Sequence, residues 1–337
     1  MKPSIRPMRW TPPRDQGLVG RFAHNDLLSR LSLTPVPGSG PEDVAVSEDG
    51  RVYSGLADGS IVAVDGGRVR VVARTGGRPL GIEIDADGSL IVCDSLAGLL
   101  RVDPGTGSVK VLVAEVAGRP LKFTNNAAVA GDGTIYFSDS STTTDVTHFK
   151  ADLLEHGGTG KVLRLDPQGH LDVIAEGLAF ANGVALAQDE SSLLVAETGA
   201  YRVSRIPLTG PGAGHPSVIL DNLPGLPDNM STGSNGTFWV AIPSLRNRLL
   251  DLLLPRPAFL RRLVWSLPDA VQPDASRIAF VLGIDEAGQV RHNLQADGSA
   301  YHYVTGIREA GGRLWLGSLV ESAIASLEWP LPDRERS

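Results

Sequence analysis

An apolar strand closed by a tight turn recurs six times along this chain, in fixed register. Counting eight residues back from Gly50 in SEDG, Gly88 in DADG, Gly133 in GDG, Glu190 in QDE, Gly236 in SNG and Gly312 in AGG reaches Glu42, Leu80, Asn125, Asn182, Asp228 and Val304. Self-similarity at a period of tens of residues implies a unit that cannot bury its apolar faces alone and stacks on its neighbours. Four of the six positions carry a side-chain oxygen where Val or Ile would be the ordinary first inward residue of a strand. If equivalent strands surround one axis, those oxygens converge on it.

The strands can be counted from alternation at period two and from the turns between them. Residues 43–47, 51–55, 60–65 and 68–73 form a first antiparallel meander, and GIEID, SLIVCDS, GLLRVD and VKVLVAE a second. The third opens at NNAAVAG and TIYFSDS, and about 20 residues, with a helical turn expected over 149–155, intervene before KVLRLD and LDVIAE. NGVALAQ, SLLVAET, RVSRIPL and HPSVILDNL make the fourth. The fifth starts at Asp228, and is interrupted after TFWVAIP by SLRNRLLDLLLPRPAFLRRLVWSLP before it resumes at IAFVLGIDE and QVRHNL. Leu249, Leu250, Leu253 and Leu254 suit a short amphipathic helix, which Pro255 and Pro257 stop. The sixth, YVTGIRE, RLWLGSL and AIASLEW, is one strand short, and an unpaired strand near Leu31 would complete it.

The expected fold is therefore all-β, a six-bladed β-propeller with an N-terminal strand closing the last blade and helical insertions over one face. Residues 22–329 form the single propeller domain, residues 1–21 an extended proline-rich arm over its surface, and residues 330–337 a polar tail. Insertions after equivalent strands of blades three and five should roof one mouth of the channel, where function belongs.

Composition narrows the classes. The net charge of −7 is spread, giving no footprint for nucleic acid. A single cysteine, Cys93, excludes an internal disulfide framework and suits a reducing compartment. The N-terminal sequence lacks the apolar run of a signal peptide, and no stretch approaches the roughly 20 apolar residues of a membrane helix. The expectation is a cytoplasmic protein with no membrane anchor, monomeric because six blades close on themselves, and acting on a small molecule.

Glu42, Asn125, Asn182 and Asp228, with Asn229 one residue on, offer carboxylate and amide oxygens. Hard ligands of this kind suit Ca²⁺ best, then Mn²⁺ or Mg²⁺, and Zn²⁺ less, since no histidine falls in register. Any one of these residues could instead be a turn residue bonded to its own backbone; four in one register favour a metal site. Asp94 and Asp139 are expected to bond the backbone of neighbouring blades, and Cys93 to be a core residue. His148, Asp145 and Glu155 lie in the blade-three insertion, within reach of the mouth. HGGTGK lacks the spacing and hydroxyl of a phosphate-binding loop, and no GxSxG elbow occurs.

On GPEDVAV, RPLGIEID, TNNAAVAGDGTIYFSDSS, GLAFANGVAL, LLVAET, NLPGLPDNM and RLWLGSL the chain resembles the strictosidine synthase-like family, over residues 38 to 329. That family belongs to the propeller superfamily that also holds the gluconolactonase/regucalcin proteins and the paraoxonases. The resemblance implies that Glu42, Asn125, Asn182 and Asp228 hold a catalytic divalent metal, with Asn229 a fifth ligand. Leu80 stands where paraoxonases carry a histidine. Gly306 stands where plant strictosidine synthases carry their catalytic glutamate, and Glu309 is at a turn, so strictosidine synthesis is not expected. The expected activity is metal-dependent hydrolysis of an apolar lactone or ester, with Asp228 the first candidate base and His148 the second. Two other readings stay open: a non-hydrolytic cyclase or C–C bond-forming enzyme, and a binding propeller whose ion is structural.

Overall fold

The structure, a computed structural model, describes residues 2–268 and 275–331. Six four-stranded antiparallel sheets follow one another in chain order. Their innermost strands are Val44–Val46, Pro79–Ile84, Thr124–Val129, Ala181–Leu186, Met230–Thr232 and Val304–Ala310. Each innermost strand touches those of the two adjacent blades, and the sixth touches the first, so the ring is closed. Blade six consists of three consecutive strands plus Ser32–Pro35, which pairs antiparallel with Ala323–Glu328. The expected fold and its closure by the N-terminal strand are both observed.

Burial explains the sequence grammar. Inner strands lie between neighbouring blades and are apolar on both faces, as in Leu90–Asp94 and Ala279–Ile284, which are buried throughout. Outermost strands such as Arg68–Arg74 have one solvated side and alternate accordingly. Cys93 is fully buried in the packing between blades two and three.

Both insertions join the second to the third strand of their blades and so lie over the same mouth. Blade three contributes the helix Phe149–Glu155 (α1) and blade five the helices Arg248–Leu253 (α2) and Ala258–Ser266 (α3). Asn247 caps α2 by accepting from the N–H groups of Leu249 and Leu250, at 3.0 and 3.1 Å. The short helix α2 ends at Leu253, ahead of Pro255 and Pro257 as expected, and Pro257 is the residue before α3, a position that costs a helix no hydrogen bond.

The arm is more than a surface strand. Ile5 is buried against Ala151 and Leu154 of α1 and Trp265 of α3. Met8 N–H donates to Glu155 O at 2.7 Å, Trp10 N–H to Leu254 O at 3.2 Å, and the Trp265 indole N–H to Pro3 O at 2.7 Å. The Trp10 ring stacks on His156 with centroids 4.2 Å apart. The arm thus straps one insertion to the other. At the far end Leu331, assigned above to the tail, packs into the core between blades five and six; residues 332–337 of that tail lie outside the described residues.

Candidate metal centre in the channel

The backbone is irregular where the register residues stand. The ladder between first and second strands slips at Pro79/Ile82, Thr124/Ala127, Ala181/Val184 and Val304/Gly306, which places Leu80, Asn125, Asn182 and Thr305 in bulges. A bulge re-aims side chains and ends regular pairing, here at the channel mouth. Blade six corrects the register count. Its first turn is a two-residue hairpin, Ala310 pairing with Arg313, whereas blade three needs five residues between Val129 and Ile135. Counting eight back from Gly312 therefore overshoots by one: Val304 is in the core, and Thr305 and Tyr303 face the channel cavity.

Glu42, Asn125, Asn182 and Asp228 line one cavity, and Asn229 Nδ2 donates to Glu42 Oε2 at 3.0 Å. Each asparagine is anchored through its nitrogen. Asn125 Nδ2 donates to Ser140 Oγ at 2.9 Å and Asn182 Nδ2 to Thr198 Oγ1 at 3.2 Å. Those hydroxyls in turn donate to the carbonyls of Ala181 and Pro227, on the next blade or the strand leading into it. The three amide oxygens, Oδ1 of Asn125, Asn182 and Asn229, are buried and accept no hydrogen bond among the described residues. Buried acceptors are nearly always paired, so three orphans together fit a ligand that contributes positive charge.

The carboxylates agree. Burial, then the neighbouring Asp228 and Asp43 carboxylates, push the Glu42 carboxyl well above its usual range, against the opposing Arg78 guanidinium. Asp228 is pushed up to about 7, chiefly by burial, although hydrogen bonds from Asn182 and the Asn229 backbone oppose the shift. A divalent cation held by these residues would offset that penalty. Two carboxylates and three amide oxygens is the donor set that hard cations take, and the residues present fit such an ion.

Close approach of the blades requires glycine here. A Cβ on Gly183 would lie 2.2 Å from Met230 N and 2.5 Å from Asp228 O, and one on Gly306 2.6 Å from Asp43 Cα. No side chain can enter the channel from position 306. Glu309 is committed at the far end of its strand, accepting from Ser234 Oγ and from the Trp239 indole at 2.8 Å.

Several expected residues lie elsewhere. His148 is not among the residues lining the cavity: its Nδ1 faces Thr147 and Asp145, and its ring meets the edge of Trp265. Glu155 accepts from the Arg6 N–H at 2.8 Å and Asp145 caps its own turn, so both serve the roof. Asp94 and Asp139 bond backbone, but of their own blades: they accept from Arg78 N–H at 3.0 Å and Phe123 N–H at 2.8 Å, just ahead of the first strand.

Above the donors the cavity is apolar. Leu80, Phe123 and Phe180 surround it, the two rings in edge-on contact with centroids 5.2 Å apart. Phe149, Leu153, Leu226 and Tyr303 separate it from an outer cavity between the roof helices. Tyr303 holds a left-handed backbone, φ +54°, which a bulky residue adopts only under tertiary constraint. Its phenol makes no hydrogen bond to the protein among the described residues. Neither Tyr303 nor Thr305 was found from sequence; allowing for the shorter AGG hairpin would have located Thr305.

A fold of this kind with a channel donor set defines a class of six-bladed propellers. Solved structures similar to this chain include a gluconolactonase from Xanthomonas campestris, with a TM-score of 0.66, 20% identity and 89% of each chain covered. A calcium-binding regucalcin from Agrobacterium tumefaciens has a TM-score of 0.61 and 16% identity, covering 87% of this chain and 90% of its own. The strictosidine synthase profile matches residues 125–211, and the strictosidine synthase-like N-terminal profile residues 20–64. Adipocyte plasma membrane-associated protein of Salmo salar is 35% identical over 315 residues, 86% of this chain and 75% of its own. Strictosidine synthase-like protein 10 of Arabidopsis thaliana is 38% identical over 256 residues, 72% of this chain and 67% of its own. The chain belongs to the strictosidine synthase-like family. The expectation of a cytoplasmic protein does not stand beside relatives named for association with the plasma membrane. Among the described residues, no helix is long and apolar enough to cross a membrane.

Proposed function

We propose that the protein is a metal-dependent hydrolase of an apolar lactone or ester, with Ca²⁺ the expected ion and Mn²⁺ or Mg²⁺ the next choices. The observation that carries this reading is the set of three orphaned amide oxygens and two buried carboxylates at the floor of an apolar cavity. Glu42, Asn125, Asn182, Asp228 and Asn229 would hold the ion. When bound, such an ion polarises a carbonyl and lowers the pKa of water. The chain supplies the rest. Leu80, Phe123 and Phe180 exclude bulk water and select an apolar acyl group over a sugar. The Asp228 carboxylate, which lines the cavity, would accept the proton of an attacking water. The Tyr303 phenol, with no hydrogen-bond partner among the described residues, would donate to the substrate's oxygen at the junction of the two cavities.

The test is hydrolysis of a panel of aryl esters and aliphatic lactones before and after chelation. Ca²⁺, Mn²⁺, Mg²⁺ or Zn²⁺ is restored singly, beside Glu42→Gln and Asn182→Ala. Activity lost on chelation, restored by one ion and absent from both variants is the expected result. Folded protein that binds the ion yet is inert on the whole panel would overturn hydrolysis and favour a structural ion or a synthetic reaction. If Asp228→Asn kept both ion and full turnover, the base assignment would fall.

A further inference from the structure

The roof helices are apolar on two sides. Inward, Trp265 and Arg261 of α3 are buried, with the Arg261 guanidinium donating to Leu154 O at 2.9 Å. Outward, Phe259 and Leu263, one turn apart, are 62% and 59% exposed, and Leu267 continues the stripe just past the helix. On α2, Leu252 is 56% exposed and Leu249 is exposed beside it. Among the described residues no buried cluster includes Phe259, Leu263, Leu252 or Leu249, and an apolar stripe at helical period on the solvent side marks an interaction face.

The charge around the stripe is one-sided. Between residues 248 and 268 the exposed charged residues are Arg248, Arg256 and Arg262. The one acid there, Asp251, is turned inward to the Tyr201 hydroxyl at 2.8 Å and the Arg246 guanidinium at 3.0 Å. In a chain of net charge −7 this surface is locally cationic. Bulky aliphatics and Phe interleaved with Arg on short helices is the composition that inserts into the boundary between headgroups and acyl chains, and the arginines complement acidic headgroups.

We infer that the blade-five roof helices dock the propeller on the surface of an anionic lipid bilayer, with the channel mouth facing the lipid. The outer cavity opens between the same helices, lined by Leu249, Leu253 and Val264. Docking places its mouth against the acyl-chain boundary, so that an apolar ligand passes from lipid to protein without crossing water. The inference stands on the roof alone and does not depend on the hydrolytic reading.

The experiment is flotation of the full chain with vesicles of phosphatidylcholine, with and without phosphatidylserine, at low and high salt. Wild type should bind the anionic vesicles at least about tenfold better than the neutral ones, with loss at high salt. Phe259→Ser with Leu263→Ser should weaken binding to both by at least about tenfold. Arg248→Glu with Arg256→Glu should abolish the preference for phosphatidylserine. All variants should keep the wild-type melting temperature, because the substituted side chains point away from the core. Absence of vesicle binding, or binding indifferent to Phe259 and Leu263, overturns the proposal. So does a wild-type dimer that Phe259→Ser makes monomeric without any vesicle binding, which would make this face a contact between copies.

Discussion

The floor and the roof of the channel are built by opposite means. The floor comes from the repeat itself: equivalent positions of different blades, held by bulged backbone and by amide nitrogens tied to Ser140, Thr198 and Glu42. The roof comes from the two places where the repeat is interrupted, and it has no ladder of its own. Its helices are held by an apolar contact around Ile5 and by the arm that crosses them. Polar atoms in the floor are fixed and left without partners; apolar atoms in the roof are packed on one side and bare on the other. The contrast sets a floor of hydrogen-bonded polar side chains against a cover held by apolar packing.

That contrast can be broken from either side. The largest effect is expected from Glu42→Gln combined with Asp228→Asn. Ca²⁺ at about a hundred times its dissociation constant should stabilise the wild type by about 2.7 kcal/mol, and thermal unfolding of the double variant should no longer respond to the ion. Next, Ile5→Ala should cost about 2–4 kcal/mol of stability in the roof. Limited proteolysis should then cut the arm and insertions first, while calorimetric Ca²⁺ binding stays at the wild-type value.

A smaller effect concerns pH. Burial raises the Asp152 carboxyl of α1 to about 6, against a hydrogen bond from Ser141 and with Glu155 adding to the rise. A carboxyl raised above its unfolded value destabilises the fold while ionised; the penalty, up to about 3 kcal/mol, is present above pH 6 and disappears as pH falls through 6 towards 3.8. His156 runs the other way. Burial and then Arg261 lower it to about 4, so its contribution to stability is lost as pH falls from 6.5 towards 4. In wild type the two oppose each other over the same window. Asp152→Asn should stabilise the roof at pH 7 and expose an acid-side loss that denaturant melts between pH 6.5 and 4 would record. The smallest effect is expected from Tyr303→Phe, with turnover on the best ester or lactone reduced about tenfold and ion affinity unchanged. A variant that lost the ion instead would move Tyr303 from substrate to floor.

The floor was legible in sequence because its residues obey the repeat. Glu42, Asn125, Asn182 and Asp228 stand eight residues before the same position in turns of five or six residues, and converge on one cavity. The exception teaches why: the two-residue hairpin of blade six shifts the count, so Val304 replaced Thr305 and the neighbouring Tyr303 was missed. The roof was less legible, since nothing periodic fixes it. The prolines at 255 and 257 follow the end of α2 as expected, while the second helix beyond them, α3, has no periodic signal that placed it. His148, chosen for its place in an insertion, turns to Trp265 instead of the channel. The hydroxyls of Ser140 and Thr198, which anchor the amides, carry no signal that distinguishes them from other serines and threonines of the chain.

Closure of the ring has a consequence for the order of events during folding. Glu42 belongs to blade one, yet its backbone carbonyl accepts from Thr305 Oγ1 of blade six and its carboxylate from Asn229, which stands at the head of blade five. These partners are separated by most of the sequence and meet only across the seam that Ser32–Pro35 completes. A chain with blades one to five formed carries every one of these donors, but Glu42 lacks the Thr305 bond that fixes its backbone against blade six. Any ligand that needs Glu42 fixed in place therefore distinguishes finished rings from unfinished ones, and binds as a test of complete assembly.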